Sequence, residues 1–425
     1  MKMIFRYSLS NISWFSLAFF VISLFVDPSG DMILFASNIA STLSYGGNWL
    51  SGPRAISSTA GFIFFLSVLL LFLNQFYLVT KERLPSRVFS YAILYLVIAF
   101  LLSFFVSLIR INQVTSPILL ELISIPLPYL GIYFYQNQIF SCVSLQEMQK
   151  VVAIVICIVF LKYLFSVILS PGSEVVIKGS FLTVYLSVIG LLDIRIFKSP
   201  LYYLLGFCFP FALLIQTGQR GYFVAFVICL LYIVFANLFR LRFPLFASLT
   251  AIIVILIASF VLLFYSSYSA NLFSDVGTEY RLEQLVSLAS SIRQFPIFGL
   301  GLGQPPVDWN SFLAGFRVFQ MELDLPYLLT KFGFISSLFF LASIISALLT
   351  ASKTRKKILT SRSETLFKYY GFNFILDRVG LYPDVLLISC LGISLFQTCI
   401  SSLVINTFIA FIFLYQQALL HNEHH

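Results

Sequence analysis

Runs of about twenty apolar residues, separated by short polar or basic stretches, recur along nearly the whole chain. A bilayer core takes about 20 apolar residues per helix. On that measure twelve spans are predicted, at 8–26, 58–79, 88–109, 117–139, 151–169, 180–194, 200–217, 221–238, 244–266, 326–350, 383–400 and 402–420. Two segments break the short-loop rhythm. Residues 267–325 form a long polar loop, and residues 351–382, with "SKTRKKILTSR", form a basic one. The expected architecture is all-α: a single polytopic transmembrane domain over residues 1–425, with about 12 transmembrane helices. No internal repeat is visible, in contrast to inverted-repeat transporters.

Composition sharpens this picture. The chain has 425 residues, 60% hydrophobic, 17% aromatic and 10% charged, whereas ordinary soluble domains carry about 25% charged residues. A net charge of +9 would suit nucleic acid if it were clustered. It is spread over many short loops, so topology explains it and a nucleic-acid partner is excluded. With the N-terminus inside, seventeen of the 26 basic residues fall on inward segments, from Lys2 and Arg6 to the group between Lys353 and Arg378. Seven fall outside: Arg54, Arg110, Lys178, Arg220, Arg281, Arg293 and Arg317. The positive-inside rule then places both termini in the cytoplasm and residues 267–325 outside. The first span lacks a small-residue cleavage site and reads as an anchor. The cytoplasmic basic loop would rest on anionic headgroups.

The chemistry available is narrow. All three histidines lie in the terminal "HNEHH", and the six cysteines are scattered over apolar runs and one inward loop. Neither a metal site nor a disulfide framework is expected, and no cofactor is implied. Attention therefore falls on the outer loop. Its segment "GTEYRLEQLVSLASSIRQFP" has helical period, with Leu282, Leu285, Val286, Ala289 and Ile292 on one face, Thr278 as the cap and Pro296 as the stop. Such a helix would lie on the membrane or pack across span ends. Arg281 sits in its first turn, where free N–H groups and the helix dipole favour a phosphate; a snorkelling arginine would look the same. Next, "FPIFGLGLGQPP" spaces Gly299, Gly301 and Gly303 for a tight turn or a close backbone approach. Arg220, flanked by glycine in "QTGQRGYFVAF", occupies a very short outer hairpin, and Lys178 is a third outer cation. Glu121 and Lys162 are intramembrane charges expected to pair or to face one cavity. Finally, "QMELDLPYLLTKFGF" places Glu322 and Asp324 at the mouth of a span, where a carboxylate can serve as a general base or simply end a loop.

At these residues the chain resembles the O-antigen polymerase and O-antigen ligase superfamily. "TGQRGYFVAF" is similar to the family's arginine hairpin, usually T-G-S-R-G. "RLEQL" resembles the ligases' arginine-x-x-x-leucine element at Arg281 and Leu285. "PIFGLGLG" followed by "ELDLPYLLTKFGFIS" resembles its proline–glycine loop and the span start after it. The register puts Glu322 where ligases carry histidine, and Gly333 at the glycine that follows. No histidine can replace the missing one, which points to the Wzy-type polymerase branch. The family's Pro-Asn near the sixth span is also absent, and Lys178 stands nearest to that place.

The resemblance implies a bacterial inner-membrane glycosyltransferase that joins undecaprenyl-diphosphate-linked repeat units at the periplasmic face, with a chain-length regulator as a partner. It implies Glu322 as the base with Asp324 as its substitute, and Arg220, Arg281 and Lys178 as the diphosphate-binding residues. Arg317, Arg293, Gly299 and Gly301 would contact substrate. The alternatives are an O-antigen ligase, or a transporter or flippase of lipid-linked oligosaccharide. A transporter would place its charges along a central path, whereas here they gather at the outer mouth.

Overall fold

The computed structural model describes residues 87–112, 116–131, 133, 143–169, 181–192, 276–307, 323–361, 372–395 and 403–421, with helical stretches inside 14–22 and 222–232. Among these residues the chain is all-helical, with no strand. Nine helices organise it: α1 (Arg87–Ile111), α2 (Ser116–Ser124), α3 (Leu145–Leu169), α4 (Phe181–Leu192), α5 (Val276–Gln294), α6 (Asp324–Ser361), α7 (Phe372–Leu381), α8 (Pro383–Ile393) and α9 (Leu403–His421). Among the described residues, two segments are long and apolar enough to cross a membrane, Tyr91–Ile111 and Asp324–Thr360. The predicted spans at 58–79, 200–217 and 244–266 lie outside the described residues.

Local chemistry explains the boundaries. Helix α3 opens on a capping box: the Ser144 N–H donates to Glu147 Oε2 at 2.8 Å, and the Glu147 N–H to Ser144 Oγ at 3.4 Å. The span expected at 117–139 is interrupted. Helix α2 ends at Ser124 and helix resumes at Pro126. Pro126 and Pro128 lack the N–H groups that would carry α2 onward. Helix α6 starts two residues ahead of its predicted span and runs on to Ser361. Much of the basic segment expected as loop from 351 is therefore helix, in α6 and again in α7.

The centre of the bundle is formed by α8 and α9. Every residue of α8 is buried, and α9 is buried on all sides from Ile405 to Gln416. An apolar all-round surface is what a central helix requires. Helix α1 lies against α6, locked by Phe100 edge-on to Phe332 at 5.0 Å and by the Ser343 hydroxyl donating to the Ala92 carbonyl at 2.6 Å. At the far end of α6, Arg355 donates to both oxygens of Asp384, at 2.7 and 2.6 Å. The Tyr232 hydroxyl also donates to Asp384, at 2.9 Å. Asp384 is fully buried in the first turn of α8, where the helix dipole favours an anion.

Breaking this pair from one side leaves an uncompensated charge, which typically costs about 3–5 kcal/mol. Asp384→Asn should therefore lower the unfolding temperature of the detergent-solubilised protein sharply. The double variant Arg355→Met/Asp384→Leu should recover most of the loss, as read by the same thermal unfolding curve.

Candidate functional site

Helix α6 is broken about a quarter of the way along. Gly333 has φ 63° and ψ −169°, a backbone conformation open essentially to glycine alone. In a continuous helix the N–H groups of Phe334 and Ile335 would donate to the carbonyls of Thr330 and Lys331. Here the loop after α5 takes both sides of that exchange. Phe334 and Ile335 donate to the carbonyls of Pro296 and Ile297 at 2.9 and 3.2 Å. The N–H groups of Leu300 and Gly301 donate to Thr330 and Lys331 at 3.1 and 3.0 Å. Four backbone groups that would be orphaned in a low-dielectric interior are thus satisfied.

The glycine spacing now has its reason. Gly299 and Gly333 touch: a Cβ on Gly299 would lie 2.2 Å from the Lys331 carbonyl oxygen, and one on Gly333 would lie 2.1 Å from the Gly299 nitrogen. The expected close approach is therefore loop backbone against helix backbone, and Gly301 meets Ser107 of α1 in the same way. Gly299 and Gly301 thus act in this structure as packing positions for the broken helix.

Side chains seal the junction. Ser103 and Ser107 stand four apart on one face of α1, both fully buried. Their hydroxyls donate to the carbonyls of Lys331 and Leu302 at 3.2 and 2.9 Å. Arg110 donates to the Leu300 carbonyl at 2.9 Å and lies 3.9 Å above the Phe295 ring. Lys331, only 2% exposed, forms an ion pair with Glu121 of α2. The second Glu121 oxygen accepts from the Gly303 N–H at 3.0 Å. The Lys331 ammonium also sits 3.8 Å from the centre of the Tyr327 ring, and the Tyr327 hydroxyl donates to the Gln304 carbonyl at 2.8 Å. One glutamate therefore ties α2, α6 and the glycine loop together. This corrects the pairing expected of Glu121: its partner is Lys331, not Lys162. Lys162 lies on α3, and its side chain is outside the described atoms.

At the mouth of α6, Asp324 begins the helix and is 4% exposed. Helix α5 packs beside it through Leu285, Leu288, Leu323 and Tyr327. The face that α5 turns inward differs from the one its apolar period selects. Gln284, Ser287, Leu288 and Ser291 are buried, while Val286 and Ile292 are 64% and 52% exposed. The buried polar side chains are used. Ser287 donates to the Val307 carbonyl at 2.6 Å, and Ser291 accepts from the Val307 N–H at 2.8 Å. Gln284 accepts from the Leu323 N–H at 3.2 Å. The apolar face is left outward, as a helix lying on a bilayer requires. The helix also starts at Val276, ahead of the Thr278 expected to cap it.

Of the candidate site residues, the structure brings Asp324, Gly299 and Gly301 into this junction. Arg281 lies on α5 one turn before Gln284 and two turns before Leu288, and its side chain is outside the described residues. Arg293 is exposed near the end of α5. Glu322, Lys178, Arg220 and Arg317 lie outside the described residues. Sequence reasoning missed Tyr327, Gln284, Arg110 and Lys331. The signal available was Asp324, Tyr327 and Lys331 at spacings of three and four, a single face of one helix. Among the described residues no group of three His, Cys, Asp or Glu could hold a metal ion.

Gly333→Ala should be among the most damaging small substitutions in the chain, because strain and a backbone clash coincide there. Its expected outcome is loss of the monodisperse peak in detergent size-exclusion chromatography. Lys331→Met alone should destabilise by about 3–5 kcal/mol, by stranding the Glu121 carboxylate, and Glu121→Gln in the same chain should restore much of the unfolding temperature. No family model, curated protein or solved structure matches this chain.

Proposed function

We propose that this protein is a polysaccharide repeat-unit polymerase of the bacterial inner membrane. It would be a multi-pass glycosyltransferase of about 12 spans, with both termini cytoplasmic and residues 267–325 periplasmic. Its donor and acceptor would both be undecaprenyl-diphosphate-linked glycans. The observation that carries the reading is the interrupted helix α6, with the buried carboxylate of Asp324 at its mouth and Arg281 on the helix packed beside it. Interrupted helices with ionisable side chains at the break are how membrane proteins build polar sites at a lipid boundary. The second ion pair, Arg355–Asp384, lies 21 residues beyond Phe334, where α6 resumes after the break, roughly 32 Å along the helix axis. The two charged clusters therefore bracket an apolar stretch of bilayer thickness, which favours chemistry at one mouth over a continuous polar path.

In the proposed reaction Glu322, or Asp324 in its place, removes the proton from an acceptor sugar hydroxyl. The acceptor oxygen bonds to the donor's anomeric carbon. The bond from that carbon to the diphosphate oxygen breaks, and the electron pair leaves with undecaprenyl diphosphate. Arg220 and Arg281, with Lys178, hold that leaving charge, as preorganised cations do in a water-poor site. Arg317 and Arg293 contact acceptor or phosphate. A chain-length regulator would act on this protein from outside the site.

The test is the length of lipid-linked glycan in cells carrying Glu322→Gln or Asp324→Asn, at protein levels matched to wild type. Arrest at single repeat units in one of them identifies the base and supports polymerisation. Long chains that never reach a lipid core would point to ligation instead. Unchanged length in both would remove the carboxylates from the chemistry.

A further inference from the structure

Gln284 holds a buried donor that has no acceptor among the described residues. The residue is fully buried, and its Oε1 accepts from the Leu323 N–H at 3.2 Å. That bond fixes the orientation of the amide, since the reverse would set N–H against N–H. The amide nitrogen is then left without a partner among the described residues. An unsatisfied buried donor is costly, and in a folded protein it calls for an explanation. Its position supplies one. Leu323, whose N–H anchors the amide, immediately precedes Asp324, so the amide donor is held one residue along the chain from a buried carboxylate.

The geometry points to Gln284 as a carbohydrate-binding residue that accepts the sugar beside Asp324. A sugar hydroxyl both donates and accepts: it can give its proton to the Asp324 carboxylate while neighbouring oxygens accept from the Gln284 amide. A phosphate offers acceptors only and would be repelled by the carboxylate, so the chemistry here selects a neutral hydroxylated ligand. Entry requires α5 to lift from α6. Among the described residues the apolar contact resisting that is small: Leu285, Leu288, Leu323 and Tyr327. This assignment rests on the polymerase reading and adds the acceptor subsite to it.

The experiment compares Gln284→Met with Ser291→Ala in the full-length protein. Ser291→Ala loosens the same helix, by removing the acceptor for the Val307 N–H, without touching the amide. Two quantities are read at matched protein level: the elongation rate in cells, and retention of lipid-linked repeat unit from those cells by the purified protein in nanodiscs. The expected result is about tenfold slower elongation and reduced retention for Gln284→Met, the loss of one substrate hydrogen bond, with Ser291→Ala near wild type. If Gln284→Met is itself less stable, its retention is measured at low temperature, where it is folded. Two variants that decline only in step with their unfolding temperatures, or a Gln284→Met protein that elongates and retains like wild type, overturn the assignment and leave the polymerase reading standing. A wild type that neither lengthens nor retains the repeat unit overturns both.

Discussion

The break in α6 at Gly333 is the constraint on which the candidate site depends. A helix buried in an apolar bundle cannot lose two hydrogen bonds without replacement, because each stranded group would cost several kcal/mol (about the penalty for an unpaired amide in hydrocarbon). The loop Pro296–Gly301 replaces both, donor for donor and acceptor for acceptor. That exchange fixes the loop against the helix to within a van der Waals contact. The loop in turn fixes the end of α5, and α5 carries Gln284 and Arg281. The placement of Gln284 beside the start of α6 therefore depends on one glycine conformation.

Charge is arranged around the same junction. Glu121 answers both a cation on α6 and an N–H of the glycine loop. A buried ion pair of this kind seldom adds net stability, since desolvation cancels much of its attraction. Its value here lies in register. Alternative seatings of the loop on α6 would leave a carboxylate, an ammonium or a backbone N–H unpaired, and so are penalised. The Tyr327 ring under the Lys331 ammonium and the Tyr327 hydroxyl on Gln304 close the set. At the opposite end of α6, Arg355, Asp384 and Tyr232 repeat the arrangement without a helix break. That contrast separates a cluster holding helices together from one that also holds a loop.

Helix α5 joins fold to function in an unexpected orientation. Its polar face is the buried one, because the surface it covers consists of backbone groups at the start of α6 and in the loop near Val307. Serines and a glutamine can satisfy those groups where leucines could not. The apolar face, with Val286 and Ile292 outward, is left for a lipid environment.

What the sequence determined by itself was the helical, lipid-adapted character of the chain and the places of its principal elements. The apolar runs behind α1, α3, α4, α6, α8 and α9 are long, and hydrophobic periodicity is a local property. The helix at α5, its stop before Pro296 and the close approach implied by the glycine spacing were legible for the same reason: proline and glycine act on their own backbone. Only the tertiary structure decided what those elements meet. The partner of Glu121 is 210 residues away, and nothing in spacing distinguishes Lys331 from Lys162 as the cation it finds. The inward face of α5 was misjudged because periodicity ranks faces by hydrophobicity, whereas the surface it covers is backbone. The break at Gly333 was invisible in the helical pattern, since its cost is removed only by a loop that begins 37 residues earlier and folds back upon it.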